Sequence, residues 1–389
     1  MLTTAREILT KIETTEGIPA YSGGSPTALE TSDGILAIDP TFTPEIEYED
    51  PDIASGTLDT SPADVGLETG SISFGTYFRG ASTTPLTTAP PFDAAVRACG
   101  MTREAMRYAE LTTLGAGGTF LHGEQLAVGI GAALTPTVAT NASACVITVG
   151  AHGLPAAANV PIVLKGVTMP TLHDYDNTLS GGWNAVYASS TTLTITGLDT
   201  TSGGTAVFAS AECYVPPIVT SGNITVTPTV SPTTIRLATA TVEDWSGPIG
   251  GSIDLEIRGE ATATALNGRH TATVSAISAG IYVEFTVAVD TSGGTSGTHT
   301  IMGIPTATVC GEKAGSITDA VYDNHLFVYN ELGEAPADAV VGGFGSKATA
   351  TITTGSGMTA GGYRYRPIGE RTFTLVTTAV WSASYIPSV

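Results

Sequence analysis

Charge is what this chain of 389 residues has least of: Asp, Glu, Lys and Arg together make up 13% of it, about half the share usual in soluble domains. Cations are scarcest. Fifteen Lys and Arg face 36 Asp and Glu, a net charge of −21, so the chain cannot hold nucleic acid by neutralising phosphates. Aromatic residues reach only 7%, and four cysteines (Cys99, Cys145, Cys213, Cys310) stand far apart with no C-x-x-C spacing. That spacing argues against zinc or dithiol chemistry. Reduced, buried thiols are expected, with a Cys145–Cys213 bridge as the alternative because both flank one β unit. No apolar run approaches the ~18–20 residues of a membrane helix. The opening "MLTTAREILTKIETTEG" lacks the apolar core of a signal peptide, so the chain reads as soluble and made in the cytoplasm. No G-x-S-x-G elbow, H-E-x-x-H or P-loop occurs, no cofactor motif is present, and no His has a defensible catalytic partner.

Gly, Thr, Ser and Ala fill the space that charge leaves, with 46 Gly and a hydrophobic share of 42%. Thr and Val suit pleated, half-buried surfaces, and Gly supplies tight turns, so a mainly β protein with many short strands is expected. The acids are uneven: residues 1–80 carry fourteen against three bases, and residues 142–305 eleven against four. Solubility alone accounts for them; a wall that repels DNA is the sharper reading.

Along the chain, Thr4 and Glu7 stand at capping-box spacing before Ile8, Leu9 and Ile12, which suggests a short helix or a docked arm. "EIEYED" would place Glu45, Glu47 and Glu49 on one face of a strand. Ile72, Phe74, Thr76 and Phe78 alternate with polar or small residues as in a strand with one buried face. Phe92, Ala95, Val96 and Cys99 recur at helical spacing, closed by Gly100. Between them "ASTTPLTTAP", with Ala81, Thr84, Pro85, Leu86 and Pro90, reads as an exposed arm for contact between subunits. Further on, "TSGGT" occurs at Thr201–Thr205 and Thr291–Thr295, and "VPIVLKG" is echoed by "SIDLEIRG". A ninety-residue echo fits two small β-domains joined by a Pro-rich connector.

Three stretches in order, "ILTKIETTEGIPA", "GSISFGTYFRG" and "PPFDAAVRACGM", resemble the tail tube proteins of long-tailed bacteriophages over residues 5–110. The resemblance implies a tail-tube-like β-sandwich or barrel with one flanking helix, carrying two small inserted β-domains. It implies a tube core in residues 1–140 and 306–389, inserts at 141–215 and 233–305, and the connector at 216–232. Function would be structural: homo-hexameric rings stacked into a tube within the virion tail, contacting other tail proteins and passing DNA without binding it. Glu45, Glu47 and Glu49 would then face the lumen. The family's closing pattern of a paired strand, a "DG" turn and a Gly-Arg-Gly is absent from the last segment.

Other chemistry is thinner. His173-Asp174-Tyr175-Asp176-Asn177 has alternating carboxylates without the glycine and terminal glutamate of a calcium loop, and reads as a solvated loop. Glu243 and Asp244 beside Trp245 suggest either a glycan platform or a core anchor with a wet rim. A rival function follows from that pair of readings: a surface adhesin of immunoglobulin-like domains binding glycan through Trp183 or Trp245. Another virion decoration or minor tail protein is a further alternative. An enzyme acting on polysaccharide ranks last, having no acid pair.

Overall fold

The computed structural model describes residues 6–9, 34–49, 64–76, 89–90, 92–114, 119–172, 178–310, 325–353, 357–367 and 375–377. The chain divides into two units, Met1–Glu104 with Gly362–Val389, and Ala105–Gly361. The fold is mainly β, as the composition implies.

In the first unit, strands β1 (Arg6–Leu9), β2 (Gly34–Glu49) and β3 (Asp64–Thr76) form an antiparallel sheet in that order. Residues 6–9 are therefore a strand and not a helix, with Ile8 opposite Ile35 and Leu9 opposite Gly34. A lone turn of helix is costly to nucleate, whereas pairing along β2 satisfies the same backbone groups at once. Helix α1 (Asp93–Ala98) follows, ended by Gly100 at φ +81°. It buries Phe92 with Ile35 and Tyr365, against half-buried Phe74, Ala95 and Val96. Cys99 is exposed, contrary to the buried thiol expected, because the helix ends at Ala98 and Cys99 lies in its closing turn.

In the second unit, β4 (Met101–Leu114, beginning in the first unit) and β5 (Gln125–Gly129) open a barrel. The chain then leaves for two domains. The first holds β6 (Val138–Ala139), β7 (Val146–Thr148), β8 (Asn159–Thr168), β9 (Gly181–Ser189), β10 (Thr192–Ile195) and β11 (Val207–Tyr214). The second holds β12 (Ile218–Thr220), β13 (Ile224–Thr227), β14 (Thr233–Leu237), a turn of helix α2 (Glu243–Ser246), β15 (Ser252–Glu260), β16 (Gly268–Ser278), β17 (Tyr282–Val287) and β18 (Gly297–Ile304). The barrel resumes with β19 (Thr306–Val309), β20 (His325–Leu332), β21 (Val340–Gly343) and β22 (Thr349–Ile352); the chain then passes through β23 (Thr359–Pro367) into the first unit, which also holds β24 (Leu375–Thr377).

Pairing runs β4–β22–β21–β5–β19–β20 and returns from β20 to β4, so six antiparallel strands close on themselves and leave no edge. Alternation fills the interior: Leu126, Val128, Leu326, Val328, Val341 and Ile352 point in with Phe120. Strands β5 and β19 are neighbours, Ala127 opposite Thr306. Everything between them is thus an insertion into one strand connection.

The inserted sheets run β11-β8-β9-β10-β7-β6 and β12-β18-β15-β16-β17-β14-β13. Apart from the added β12 the two orders are identical, each reading A-B-E-D-C-F from its first strand. The sequence echo marks a shared latch. Asp199 and Asp290 accept from the backbone N–H two residues on, at 2.9 and 2.8 Å. Buried Thr200 and Thr291 then donate their backbone N–H to the domain's opening loop, at Ala142 O and Thr229 O. Sequence matching aligns Thr201 with Thr291; the fold aligns Thr200 with it.

Two boundaries differ from expectation. Residues 216–232 are not a free connector: β12 and β13 are strands of the second domain's sheet, each paired to a neighbour. The first domain also begins before residue 141, since Leu134 bridges Cys213 and β6 starts at Val138. Neither insert stands alone. Alternation sends Ala127 and Val340 out of the barrel onto Val163, and Gly182 meets Gly342 so closely that an added Cβ on Gly182 would lie 2.6 Å from the Gly342 carbonyl oxygen. Met302 and Ile304 of β18 enter the first domain's core.

Candidate functional site

Glu45, Glu47 and Glu49 lie on β2, with Glu45 opposite Thr69 and Glu49 opposite Asp64; the directions of their side chains fall outside the described residues. So do Ala81, Thr84, Pro85 and Leu86 of the arm, whereas Pro90 at its end is buried and its carbonyl accepts the Asp93 N–H at 2.9 Å. The β2–β3 hairpin itself is long for a globular domain, 16 and 13 residues, where five or six is usual. A bulge at Asp39 (φ +49°) and Pro40 bends β2, as the shift from Ile38–Gly75 to Thr41–Ser73 records. Ile38 and Phe42 flank the bend and are 38% and 66% exposed. Among the described residues β3 pairs on one side only. An open-edged ribbon with exposed apolar side chains beside its bend is a template for another strand.

The base of that ribbon is fixed by a cluster that sequence reading missed. Asp93, nearly buried at the start of α1, accepts from Tyr365 Oη at 2.6 Å and from Arg103 Nη1 at 3.0 Å. Arg103 covers the Tyr363 ring at 4.5 Å. Burial, then the bond to Asp93, pushes the Tyr365 phenol far above its usual range. Glu104 takes Arg364 at 2.6 Å and also pairs with Arg366. The signal was available in "PPFD", where an acid opens a helix, and in "YRYR", which places two cations on one strand face.

The chemical candidates dissolve into structure. Trp183 is 4% exposed and donates Nε1–H to Leu179 O at 2.6 Å, with Lys347 Nζ 3.4 Å from its ring centre. Trp245 is 1% exposed and stacks on Phe285. Both rings serve cores and neither offers a glycan platform, because each sits on the inward side of its domain. Glu243 accepts the Gly280 N–H at 3.0 Å. His173–Asn177 lies outside the described residues, and no group of three metal-binding side chains occurs among those described. Cys145 and Cys213 are free thiols, not a bridge, and burial pushes Cys213 up to about 12.

Two charged groups missed by sequence reading stand out. Glu260 accepts backbone N–H bonds from Thr262, Ala263 and Ser296 at 2.8–3.0 Å and the His299 ring at 2.7 Å. Against the cost of burial these bonds hold its carboxyl down to about 2. Glu331 is the opposite case. A bulge in β20, with Asn330 at φ +48°, turns it toward the barrel, where its carboxyl meets Arg107 Nε at 2.9 Å, and Arg107 also pairs with Glu334. Burial, reinforced by Glu334 and opposed by Arg107, pushes Glu331 up to about 8.

Comparison with protein-family models, with curated proteins and with solved structures finds no match. The functional reading therefore stands on residues and geometry.

Proposed function

We propose that this chain is a tail tube subunit, a structural protein that polymerises into stacked rings forming a conduit for DNA. The observation that carries the reading is the long β2–β3 ribbon with its open edge and exposed Ile38 and Phe42. Among the described residues the six barrel strands close on themselves, whereas β3 leaves one side of the ribbon open beside exposed Ile38 and Phe42, and we assign strand addition between subunits to it. The ribbon and α1 occupy the stretch that resembles tail tube proteins, and the acid-rich end of β2 supplies charge that repels DNA from a wall. Hexameric rings follow from the resemblance; axial contacts that do not close would stack them into a filament. The two domains inserted between β5 and β19 would decorate such a tube without interrupting its barrel.

Electron microscopy of the purified chain in negative stain tests this, with rings or tubes expected. Phe42→Asp should leave the fold intact and lower the assembled fraction at least tenfold. Wild-type protein that stays monomeric at every concentration tried, or assembles equally well with Asp at 42, overturns the proposal.

A further inference from the structure

Charge is segregated within the first unit. Between Lys11 and Arg79 the sequence holds thirteen Asp and Glu and no Lys or Arg. Five of those acids lie on the far half of the ribbon: Glu45, Glu47 and Glu49 on β2, and Asp64 and Glu68 on β3. Register sets Glu49 directly opposite Asp64. A like-charge pair across two strands destabilises a sheet unless a cation joins it.

The rest of the same unit, residues 79–104 and 362–389, reverses the balance, with six Arg against three acids. Two carboxylates there each serve two guanidiniums. Asp93 takes Arg103 at 3.0 Å and Arg97 at 3.7 Å, and Glu104 takes both Arg364 and Arg366. Arg97 and Arg366 still expose 41% and 56% of their side chains. In a chain of net charge −21, α1 and β23 thus present a cationic end.

One molecule cannot bring its own two ends together. Ile35 packs with Phe92 and Tyr365 where the ribbon is anchored beside α1. A strand rises about 3.3 Å per residue, so Glu45 and Glu49 lie about 30–45 Å along β2 from that anchor. Measured from the bend at Asp39 they are still about 20–30 Å away, whereas an ion pair needs about 4 Å. We infer that the acidic end of the ribbon docks on the arginines of α1 and β23 in a second copy of this chain. The contact is heterologous: each copy keeps one ribbon and one cationic end to offer onward, so it repeats from copy to copy. Five carboxylates outnumber the three surplus cations, so the ribbon stays negative after docking. Nucleic acid is the poorer occupant, because the thirteen acids of the same unit repel phosphate. The inference rests on the proposed function in taking the partner to be a second copy, and adds a charged surface to the open strand edge.

Sedimentation velocity of the full chain at about 50 and 500 mM NaCl tests it. Wild type should self-associate, about tenfold more weakly at the higher salt, where exposed charges are screened. At low salt, Arg97→Glu with Arg366→Glu should weaken association about tenfold, and so should Glu49→Lys with Asp64→Lys. The variant reversed at all four positions should regain wild-type association to within about threefold, a recovery that damage to the fold does not produce. Should the arginine variant fail to fold, Asp64→Lys alone, which turns a like-charge pair into an opposite one, must still weaken association about threefold. Wild-type rings that neither pair of substitutions weakens would overturn this contact and leave the proposed function standing. Losses that the fourfold reversal does not recover would overturn it too, as would arginine-dependent binding of a short DNA duplex with self-association unchanged. A wild type monomeric at both salt concentrations would overturn the contact and the proposed function together.

Discussion

Replacing Glu331 with Gln should make the protein more stable at alkaline pH, although it removes one partner of an ion pair. The carboxyl protonates near 8 in the fold against an ordinary value of 4.5. The folded state therefore holds a proton that the unfolded chain releases, and stability falls as pH rises from about 4.5 to about 8. At about 1.4 kcal/mol per pH unit the ceiling is about 5 kcal/mol. Local relaxation and water entry should reduce this to about 2–4 kcal/mol. Gln has the shape of the protonated acid and does not titrate, and Arg107 keeps Glu334 at 2.9 Å. Thermal melts of wild type and Glu331→Gln at pH 5 and pH 9 isolate the effect, since every other group titrates in both. The two should melt together at pH 5. At pH 9 the variant should melt higher, by roughly 4–7 °C. Curves that stay parallel across this range would show that Glu331 is ionised in the fold and refute the reasoning.

Three further outcomes are expected. Glu260→Gln should destabilise the second inserted domain by about 2–4 kcal/mol, and in the wild type this contribution should fade as pH falls from about 4.5 to about 2, measurable by urea unfolding; an unchanged midpoint would count against the carboxylate latch. Gly303→Ala puts a methyl 2.1 Å from Trp245 Cζ3, so overpacking of about 1–3 kcal/mol or more should accompany a red shift of tryptophan emission, and a wild-type spectrum with wild-type stability would contradict it. A thiol reagent should titrate Cys99 in the native protein and reach Cys145, Cys213 and Cys310 only after unfolding; fast native reaction of more than one thiol would mean that a core opens.

Much of the architecture can be read along the chain because alternation is local. Ile253, Leu255 and Ile257 against Asp254, Glu256 and Arg258 already separate a core face from a wet face, and "TSGGT" marks two domain ends. Reading failed where a contact spans distance. Residues 6–9 have a helix-like pattern, and only the presence of β2 beside them decides for a strand. The run from Pro216 to Pro232 looks like a linker, yet β12 and β13 find partners some eighty and ten residues away, at Met302 and Leu237. The Asp93 cluster joins residues 272 positions apart; "PPFD" and "YRYR" mark its members, but no local pattern pairs them.

By itself the sequence determined the mainly β class, the short helix at Asp93–Ala98, the duplication, and the lack of any motif for catalysis. These depend on composition and on neighbours a few residues apart, where pleat and turn chemistry act. Tertiary structure alone decided that the barrel closes, that both domains emerge between adjacent strands β5 and β19, and that Trp183 and Trp245 face inward. Each of these depends on which surfaces exclude water from one another, and burial belongs to the assembled fold, not to any stretch of chain.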